Sequence, residues 1–434
     1  MVKIKFLGGC REIGAASVLI QSENNVGSLL LDYGIRLNQN ENVTPEKLGD
    51  IKLSAVALSH CHIDHSGGLP NLYNNGSVPL FTTELNYRIV TVLIRDMFKI
   101  AKQQIPFSNK ELNKMGVSTY FLGYDTKQRI DKNFYITLKN AGHVPGSSCI
   151  LVEVDGKKIL YTGDFNTINT RLVNGIDMAN FQDKLDAVII ESTYALREHE
   201  AREKIEKDFI EKVNIIVENK GKVLVPAFGV GRSQEILSVL YTYGYRGHLF
   251  LDGMARRISE MYFDYSEYLR NPREFQKAVN NSTFILNSRF DRDRRIAIKT
   301  PSVIISPSGM LQGGPARNYA KSIINDPNSA IYSVGYQVEN TPGRILLDEK
   351  KLLLSKDDKK GVNAVCDVQN FDFSSHAGAS GIRYFVDNLK FKENSNKTVL
   401  SFHGDTESCT KLAIDLNKKG YYAISPENGD IFTI

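Results

Sequence analysis

Residues 60–65 read His-Cys-His-Ile-Asp-His and limit the fold of this chain more narrowly than any other stretch. Three of the eight histidines of the sequence lie within it, and Asp64 stands among them. Imidazole and carboxylate groups are the usual ligands of Zn²⁺ and related metal ions. In a tight loop after a strand, four such side chains can splay so that two bind one ion and two bind a second. The stretch therefore predicts a metal site, with Cys61 as a small packed residue beside it.

Short apolar runs, typical of buried strands, lead into this stretch and into other residues that can bind metal or transfer protons. The runs are 27–32, 53–58, 159–164, 187–191 and 398–403, and they end at or just before Asp32, residues 60–65, Asp164, Glu191 and His403. Loops at strand ends commonly carry function, so we expect these residues to converge on one site. His143, Asp164 and His403 would complete the ligand set, with the carboxylate able to bridge two ions.

A pair of metal ions would make this site hydrolytic. Two ions about 3.5–4 Å apart lower the pKa of a shared water and neutralise charge on a phosphoryl or carbonyl oxygen. A leaving group then needs a proton donor, for which His376 and Glu191 are candidates. A histidine suits general acid catalysis near neutral pH, and a neighbouring carboxylate would orient its ring.

The segment from about residue 200 to 345 has a different pattern. Helix-like stretches at 202–219, 233–243, 254–269 and 315–325 alternate with strand-like stretches at 223–225, 249–251, 303–305 and 331–334. Such β-α-β alternation predicts a parallel sheet and an α/β domain. Because the clustered histidines lie outside this segment, we interpret it as a domain inserted into the fold that bears the site.

Composition is that of an ordinary globular protein, with 42% apolar and 24% charged residues in 434. It excludes collagen-like, disordered and coiled-coil classes. The chain has no apolar run of about 18 residues and no evident signal peptide, so we expect no membrane association. The five cysteines, at positions 10, 61, 149, 366 and 409, are few and odd in number, which favours a reducing cytoplasm. A net charge of +5 permits an anionic partner without demonstrating one.

In order and spacing, these residues resemble the motifs of the metallo-β-lactamase superfamily, and specifically of its β-CASP nuclease branch. Asp32, residues 60–65, His143 and Asp164 match the first four motifs, and Glu191, His376 and His403 match motifs A, B and C of that branch. Segments 226–235, 307–314 and 335–344 resemble parts of the β-CASP insert. The resemblance runs nearly end to end.

Within that branch the sequence is similar to RNA-processing nucleases related to the cleavage and polyadenylation specificity factor, especially the short archaeal type, with RNase J as a neighbouring relative. The resemblance implies an αββα sandwich, residues 1–197 and 367–434, interrupted by an α/β insert, residues 198–366. Two sequence features depart from this pattern. Because Met1 lies almost directly before the first strand, we expect the KH-type extension of longer archaeal relatives to be missing, and Asp405 follows motif C in place of the commoner Glu.

The resemblance also implies roles for the site residues and two Zn²⁺ ions per chain. One zinc would be held by His60, His62, His143 and Asp164, and the other by Asp64, His65, Asp164 and His403. Asp32 would orient the histidine loop, and His376, supported by Glu191, would lie near the scissile phosphate. Asp64 would act in catalysis as well as in metal binding.

Single-stranded RNA would need further contacts. Arginine suits bidentate phosphate binding, which makes Arg232 a candidate together with the basic segment 289–299, although aspartates interleave in that segment. Ser308, Gly309 and Ser375 are further candidates for phosphate contacts. A homodimer or partners in a processing complex stay open, because no dimer signature is visible.

The function that these observations favour is a zinc-dependent ribonuclease in RNA processing or decay, cutting internally, in the 5′→3′ direction, or both. Two alternatives stay open. One is a hydrolase of a small ester or thioester, although such enzymes lack motifs A to C. The other is a non-catalytic subunit of an RNA-processing complex, although such relatives usually lose several ligands and every ligand position is filled here.

Overall fold

The structure is a computed structural model that describes residues 1–22, 27–36, 42–101, 105–285, 290–355, 358 and 360–434. The chain divides into two units. The first unit comprises Met1–Asn169, Gly175–Glu198 and Ser375–Ile434, and the second comprises Thr170–Asn174 and His199–Ser374. The units therefore change at 198/199 and at 374/375, and a five-residue segment near residue 170 belongs to the second unit. The sequence did not indicate that this five-residue segment belongs to the second unit. The domain boundaries given by the sequence stay a prediction.

The strands and helices follow one another along the whole chain. The strands are β1 (Val2–Gly8), β2 (Ser17–Ser22), β3 (Ser28–Leu31), β4 (Ala55–Ala57), β5 (Leu80–Thr82), β6 (Thr119–Phe121), β7 (Lys127–Asp131), β8 (Phe134–Asn140), β9 (Ser148–Val154), β10 (Lys157–Tyr161), β11 (Lys184–Leu185), β12 (Ala187–Glu191), β13 (Lys222–Pro226), β14 (His248–Leu251), β15 (Thr283–Phe284), β16 (Ser302–Ser306), β17 (Ala330–Ser333), β18 (Lys351–Leu352), β19 (Val362–Asn363), β20 (Asp367–Asn370), β21 (Lys390–Phe391), β22 (Thr398–Phe402), β23 (Tyr422–Ile424) and β24 (Ile431–Thr433). The α-helices are α1 (Ile63–Ser66), α2 (Glu84–Ala101), α3 (Asn109–Val117), α4 (Arg202–Glu218), α5 (Arg232–Thr242), α6 (Met254–Asp264), α7 (Pro272–Asn280), α8 (Phe290–Lys299), α9 (Gly314–Ile323), α10 (Pro342–Glu349), α11 (Ala379–Asn388) and α12 (Thr406–Lys418). Short 3-10 helices span Leu69–Tyr73, Met178–Asn180 and Ser266–Tyr268.

Two mixed sheets pack face to face in the first unit. Among the described residues, their orders are β24-β1-β2-β3-β4-β5-β6 and β23-β22-β12-β10-β9-β8-β7. Phe6 and Ile20 of the first sheet share one buried cluster with Ile136 and Ile150 of the second. Burial of each such side chain contributes about 1.5–3 kcal/mol. This interface forms the main core of the unit.

Helices cover the outer face of the second sheet. Phe385 of α11 and Leu412 of α12 pack in one buried cluster with Leu151 and Val188 of the sheet. Helix α12 begins after Asp405, whose side chain accepts a hydrogen bond of 2.7 Å from the Ser408 N–H. An aspartate at this position therefore caps the helix. The layers are those of the αββα sandwich, as predicted.

The second unit contains a parallel sheet, as the β-α-β alternation indicates. Its order among the described strands is β15-β14-β16-β13-β17-β20, and every neighbouring pair is parallel. The apolar strands β13, β16 and β17 are almost wholly buried, as expected for a sheet covered on both faces. The helix predicted over 254–269 is wrong at its C-terminal end. Helix α6 ends at Asp264, because Tyr265 leaves helical geometry with φ −124° and ψ 46°.

Within the described ranges, none of the helices combines the length and the apolar character that crossing a membrane would require.

Candidate metal centre

The predicted metal ligands converge at strand ends in the first unit. Strands β3 and β4 are parallel neighbours, and they lead to Asp32 and to residues 60–65. Strands β10, β12 and β22 are parallel neighbours in the other sheet, and they lead to Asp164, Glu191 and His403. Parallel strands carry their carboxyl ends to one edge of a sheet, which explains why residues far apart in sequence meet here.

Asp164 lies at the centre of the histidine cluster. Its Oδ1 is 3.3 Å from His65 Nε2 and 3.2 Å from His403 Nδ1. Its Oδ2 is 3.5 Å from His60 Nε2 and 3.8 Å from His143 Nε2. Each carboxylate oxygen thus faces a different pair of imidazole nitrogens.

The remaining predicted ligands lie around this centre. His62 has its Nδ1 3.2 Å from His143 Nε2. Asp64 has its Oδ2 3.7 Å from His403 Nε2. Among the described residues, four groups have ligand atoms within 4.8 Å of one another: His60, His62, His143 and Asp164; His60, Asp64 and His65; His65, Asp164 and His403; and Asp164, Glu191 and His376. All seven residues predicted as ligands therefore belong to one cluster.

The donor set fits metal ions. His60 Nε2, His65 Nε2, Asp164 Oδ1 and His403 Nδ1 are buried and make no hydrogen bond within the described part of the chain. Leaving one buried polar atom unsatisfied costs about 1–3 kcal/mol. Four such atoms that face one another through imidazole and carboxylate groups are explained by cations between them.

Asp32 is fully buried and holds the histidine loop in place. It accepts hydrogen bonds from Ser59 N and Oγ, both 2.7 Å, and from Tyr161 Oη at 2.8 Å. It also accepts one of 2.7 Å from His65 Nδ1, and Nε2 of that ring faces Asp164. Such outer contacts fix the tautomer and the orientation of a ligand.

Two other histidines are oriented in the same way. His143 Nδ1 donates to the carbonyl oxygen of Ser375 at 3.0 Å, and His60 Nδ1 lies 3.1 Å from Ser59 Oγ. Sequence reasoning missed Ser59 and Tyr161. Ser59 directly precedes the first histidine, but a lone serine or a tyrosine inside a strand carries no recognisable signal.

Burial and mutual charge shift the pKa values of the cluster. Burial lowers the pKa of His60 and His143 well below the ordinary value, and neighbouring histidines add to this effect. Burial alone would raise the pKa of Asp164, but His65 and the other histidines around it hold that pKa well below its usual range. Burial opposes protonation of His65, but Asp164 and Asp32 raise its pKa well above the ordinary value.

His376 lies against this centre and is paired with Glu191. Its Nδ1 donates to both Glu191 carboxylate oxygens, at 2.9 and 3.0 Å, and its Nε2 is 3.9 Å from Asp164 Oδ2. Glu191 is itself held by the Phe165 N–H at 2.8 Å. Burial lowers the pKa of His376, but the charges of Glu191 and Asp164 outweigh it and raise that pKa to about 9. The Nε2 atom of the ring faces the cluster.

The residues predicted to contact RNA lie in both units. Ser375 belongs to the first unit, where its carbonyl oxygen faces His143. Arg232, Ser308 and Gly309 belong to the second unit, in segments that follow β13 and β16, which are neighbours in its sheet. RNA binding by these residues stays a prediction.

Arg294 of the basic segment 289–299 has partners in the second unit. Arg294 Nε and Nη2 donate to the carboxylate of Asp252 at 2.6 and 3.1 Å, and Tyr319 Oη donates to the same carboxylate at 2.9 Å. Arg294 therefore has a structural partner in its own unit. Arg289 lies outside the described residues.

Comparison with protein families gives three matches along the chain. The metallo-beta-lactamase superfamily matches residues 11–207, the Beta-Casp domain matches residues 233–346, and the Zn-dependent metallo-hydrolase RNA specificity domain matches residues 361–426. Together they include the whole metal cluster and most strands of the parallel sheet. The fold and the site thus define a metallo-β-lactamase hydrolase with a β-CASP domain.

Similar proteins cover almost the whole chain. The chain is 36% identical to RNase aCSPSF2 of Saccharolobus solfataricus, over 98% of this chain and 84% of that protein. It is 34% identical to Probable RNase MJ4 of Methanocaldococcus jannaschii, over 99% of both. It is 32% identical to transcription termination factor FttA of Thermococcus kodakarensis, over 99% of this chain and 71% of that protein. The chain belongs to the β-CASP branch of the metallo-β-lactamase superfamily.

A solved structure shares the fold at low sequence identity. The crystal structure of a protein of unknown function from Enterococcus faecalis V583 aligns with a TM-score of 0.66 at 13% identity and covers all of both chains. At this identity the likeness concerns the fold alone.

Proposed function

We propose that this protein is a metal-dependent ribonuclease that hydrolyses phosphodiester bonds in single-stranded RNA. The observation that carries the proposal is the buried Asp164 carboxylate between four imidazoles, with His376 beside it. The names of the relatives, two of them RNases, and the match to an RNA specificity domain support RNA as the substrate.

We assign two zinc ions to the cluster. His60, His62, His143 and Asp164 would hold one, and Asp64, His65, Asp164 and His403 would hold the other. When bound, such a pair supplies a hydroxide near neutral pH and neutralises charge on a phosphoryl oxygen. Imidazole and carboxylate donors in this number suit zinc, and the grouping of their atoms within 4.8 Å supports the assignment.

The residues of the chain have separate tasks in this proposal. His376, protonated and oriented by Glu191, donates a proton to the leaving oxygen through Nε2. Asp64, on the loop with the histidines, binds metal and holds the attacking water. Asp32 orients His65 without touching the substrate. Arg232, Ser308, Gly309 and Ser375 are proposed to bind RNA phosphates.

The wider setting follows the same family pattern. We place the sandwich in residues 1–197 and 367–434 and the inserted α/β domain in residues 198–366. The enzyme would act in the cytoplasm on RNA processing or decay. It would cut internally, from the 5′ end, or both.

Cleavage of one RNA labelled at either end tests this function. The oligonucleotide carries a 5′ monophosphate, triphosphate or hydroxyl, and the purified protein is supplied with zinc. We expect cleavage that EDTA abolishes and zinc restores, with product lengths that distinguish internal cutting from 5′ trimming. Hydrolysis of a chromogenic ester without RNA cleavage would overturn the proposal in favour of a small-molecule hydrolase.

A further inference from the structure

Two loops of the second unit expose aromatic rings at one edge of its sheet. Phe228 follows β13 and is 38% exposed, and Tyr336 follows β17 and is 47% exposed. Strands β13 and β17 are parallel neighbours, so both loops leave the carboxyl edge of the sheet side by side. Val338, 44% exposed, lies on the same loop as Tyr336. We call Phe228, Tyr336 and Val338 the apolar shelf.

The loop after β17 is anchored so that its apolar side chains point outwards. Gln337 is buried, and its Nε2 donates to Gly309 O at 3.0 Å, to Ser333 Oγ at 2.9 Å and to Gly335 O at 3.2 Å. The residues on either side of Gln337 are therefore left at the surface. Tyr336 and Val338, on either side of this buried residue, are both exposed.

The ring of Phe228 packs against two glycines. A Cβ at Gly309 would lie 3.5 Å from Phe228 Cδ2, and a Cβ at Gly335 would lie 3.3 Å from its Cε2. The Phe228 carbonyl accepts hydrogen bonds from Ser233 N at 3.2 Å and Oγ at 2.7 Å, which fixes the backbone. A large apolar ring that stays partly exposed lacks part of the free energy that its full burial would contribute. Because the backbone of Phe228 is fixed, this exposure indicates that the ring binds a ligand.

A positive charge adjoins the shelf. Arg232, the first residue of α5, has its Nε 4.0 Å from the position that a Cβ at Gly335 would occupy. Flat rings beside an arginine provide the two contacts that single-stranded nucleic acids use, base stacking and phosphate attraction. Protein interfaces are also enriched in aromatic residues and arginine, so the choice of RNA as the ligand rests on the proposed function.

We propose that Phe228 and Tyr336 form a stacking site for nucleobases of single-stranded RNA, with Arg232 contacting the adjoining phosphate. This inference rests on the proposed ribonuclease function. Base stacking is tolerant of sequence, because every base has a π-face. The site would therefore strengthen RNA binding without selecting a base.

Replacing each aromatic residue by leucine distinguishes base stacking on the ring from apolar contact in general. Phe228→Leu and Tyr336→Leu keep an apolar side chain and remove the ring, whereas Phe228→Tyr and Tyr336→Phe keep the ring. Binding is measured with EDTA present, so that the RNA stays intact, using a short oligoribonucleotide that carries 2-aminopurine and an abasic strand of equal length. We expect the leucine variants to weaken binding of the base-bearing strand roughly tenfold or more and to lose the fluorescence quench of stacked 2-aminopurine.

The controls distinguish failure of the stacking site from failure of the ribonuclease function. Tyr384, 54% exposed on α11, is the matched surface tyrosine, and Tyr384→Leu should bind RNA as the parent does. The abasic strand should bind the parent and the leucine variants equally. Unchanged binding of the base-bearing strand, or equal weakening for the abasic strand, overturns the stacking site. Hydrolysis of a chromogenic phosphodiester without bases should persist in both leucine variants, and its absence from the parent would count against the ribonuclease function instead.

Discussion

At the scale of single residues, the position of one carboxylate explains most of the site. Asp164 is buried, and its two carboxylate oxygens face ring nitrogens of four histidines. The histidines in turn depend on partners for their other ring nitrogen. One such partner is Asp32, which accepts a 2.7 Å hydrogen bond from His65. Asp32 itself accepts hydrogen bonds from Ser59 and Tyr161.

Replacing Asp32 tests its orienting role. In Asp32→Asn the amide keeps the size of the side chain but loses charge, and its NH₂ group cannot accept the bonds that the carboxylate accepts. We expect metal affinity or activity to fall about 10–100-fold, which titration of the metal-free protein with zinc measures. Asp186→Asn is the control, since Asp186 is a buried carboxylate of the first unit paired with lysines instead. Equal zinc affinity in Asp32→Asn and the parent would contradict the role.

A second prediction at this scale concerns His376. In His376→Gln the proton donor is lost, while none of the seven proposed ligands is changed. We expect kcat for RNA cleavage to fall about 10²–10⁴-fold with the zinc content unchanged. The exposed His248 at the start of β14 provides the control variant His248→Gln, which should keep full activity. Loss of zinc from the His376→Gln variant would show instead that His376 binds metal and is not the proton donor.

At the scale of elements, the sequence predicted those features that depend on local pattern. Apolar runs that end at His, Asp or Glu located β4, β10, β12 and β22 and the candidate site residues behind them, because a buried strand and its polar end are adjacent in sequence. Contacts between distant segments left no such pattern. The hydrogen bond from Tyr161 to Asp32 joins residues 129 positions apart, and it depends on the packing of two sheets.

The segment Thr170–Asn174 is the clearest example of an element that the sequence did not reveal. It lies within the sequence of the sandwich, yet it belongs to the second unit. The Glu235 carboxylate of α5 accepts hydrogen bonds from Arg171 N at 3.0 Å and Leu172 N at 2.9 Å. Arg171 donates to Glu206 of α4 through Nε at 2.9 Å. Two buried carboxylates therefore fasten this short segment to two helices.

Removing one of these carboxylates should destabilise the second unit. In Glu235→Ala, two backbone N–H groups lose their acceptor, and Arg202 loses a partner at 3.1 Å. We expect the free energy of unfolding to fall by at least about 2 kcal/mol, measured by urea denaturation. Glu211→Ala, at an exposed position on α4, is the control and should change stability by less than about 0.5 kcal/mol. Equal stability of the two variants would show that the segment does not need this anchor.

At the scale of the whole molecule, the two units should differ in their dependence on metal. Each group of candidate ligands that includes Asp164 and the clustered histidines lies in the first unit. The second unit has its own core, in which Leu224, Ile304 and Ile331 of the parallel sheet are buried together. Because a ligand stabilises only the state that binds it, metal removal should weaken the first unit selectively.

Hydrogen exchange of the full chain, with zinc and with EDTA, tests this asymmetry. We expect EDTA to speed exchange in the strand ends, helix turn and loops that span 59–66, 141–147 and 401–404, since their buried donor atoms then face one another without a cation. The strands of the six-stranded sheet should keep their protection. A metal present at 100 times its Kd stabilises by about 2.7 kcal/mol, so protection in the affected loops should fall by up to about 100-fold. Asp164→Asn is the matched control, because a chain that binds zinc poorly should exchange alike under both conditions. Equal loss of protection in both units would show instead that metal binding stabilises the molecule as one cooperative body.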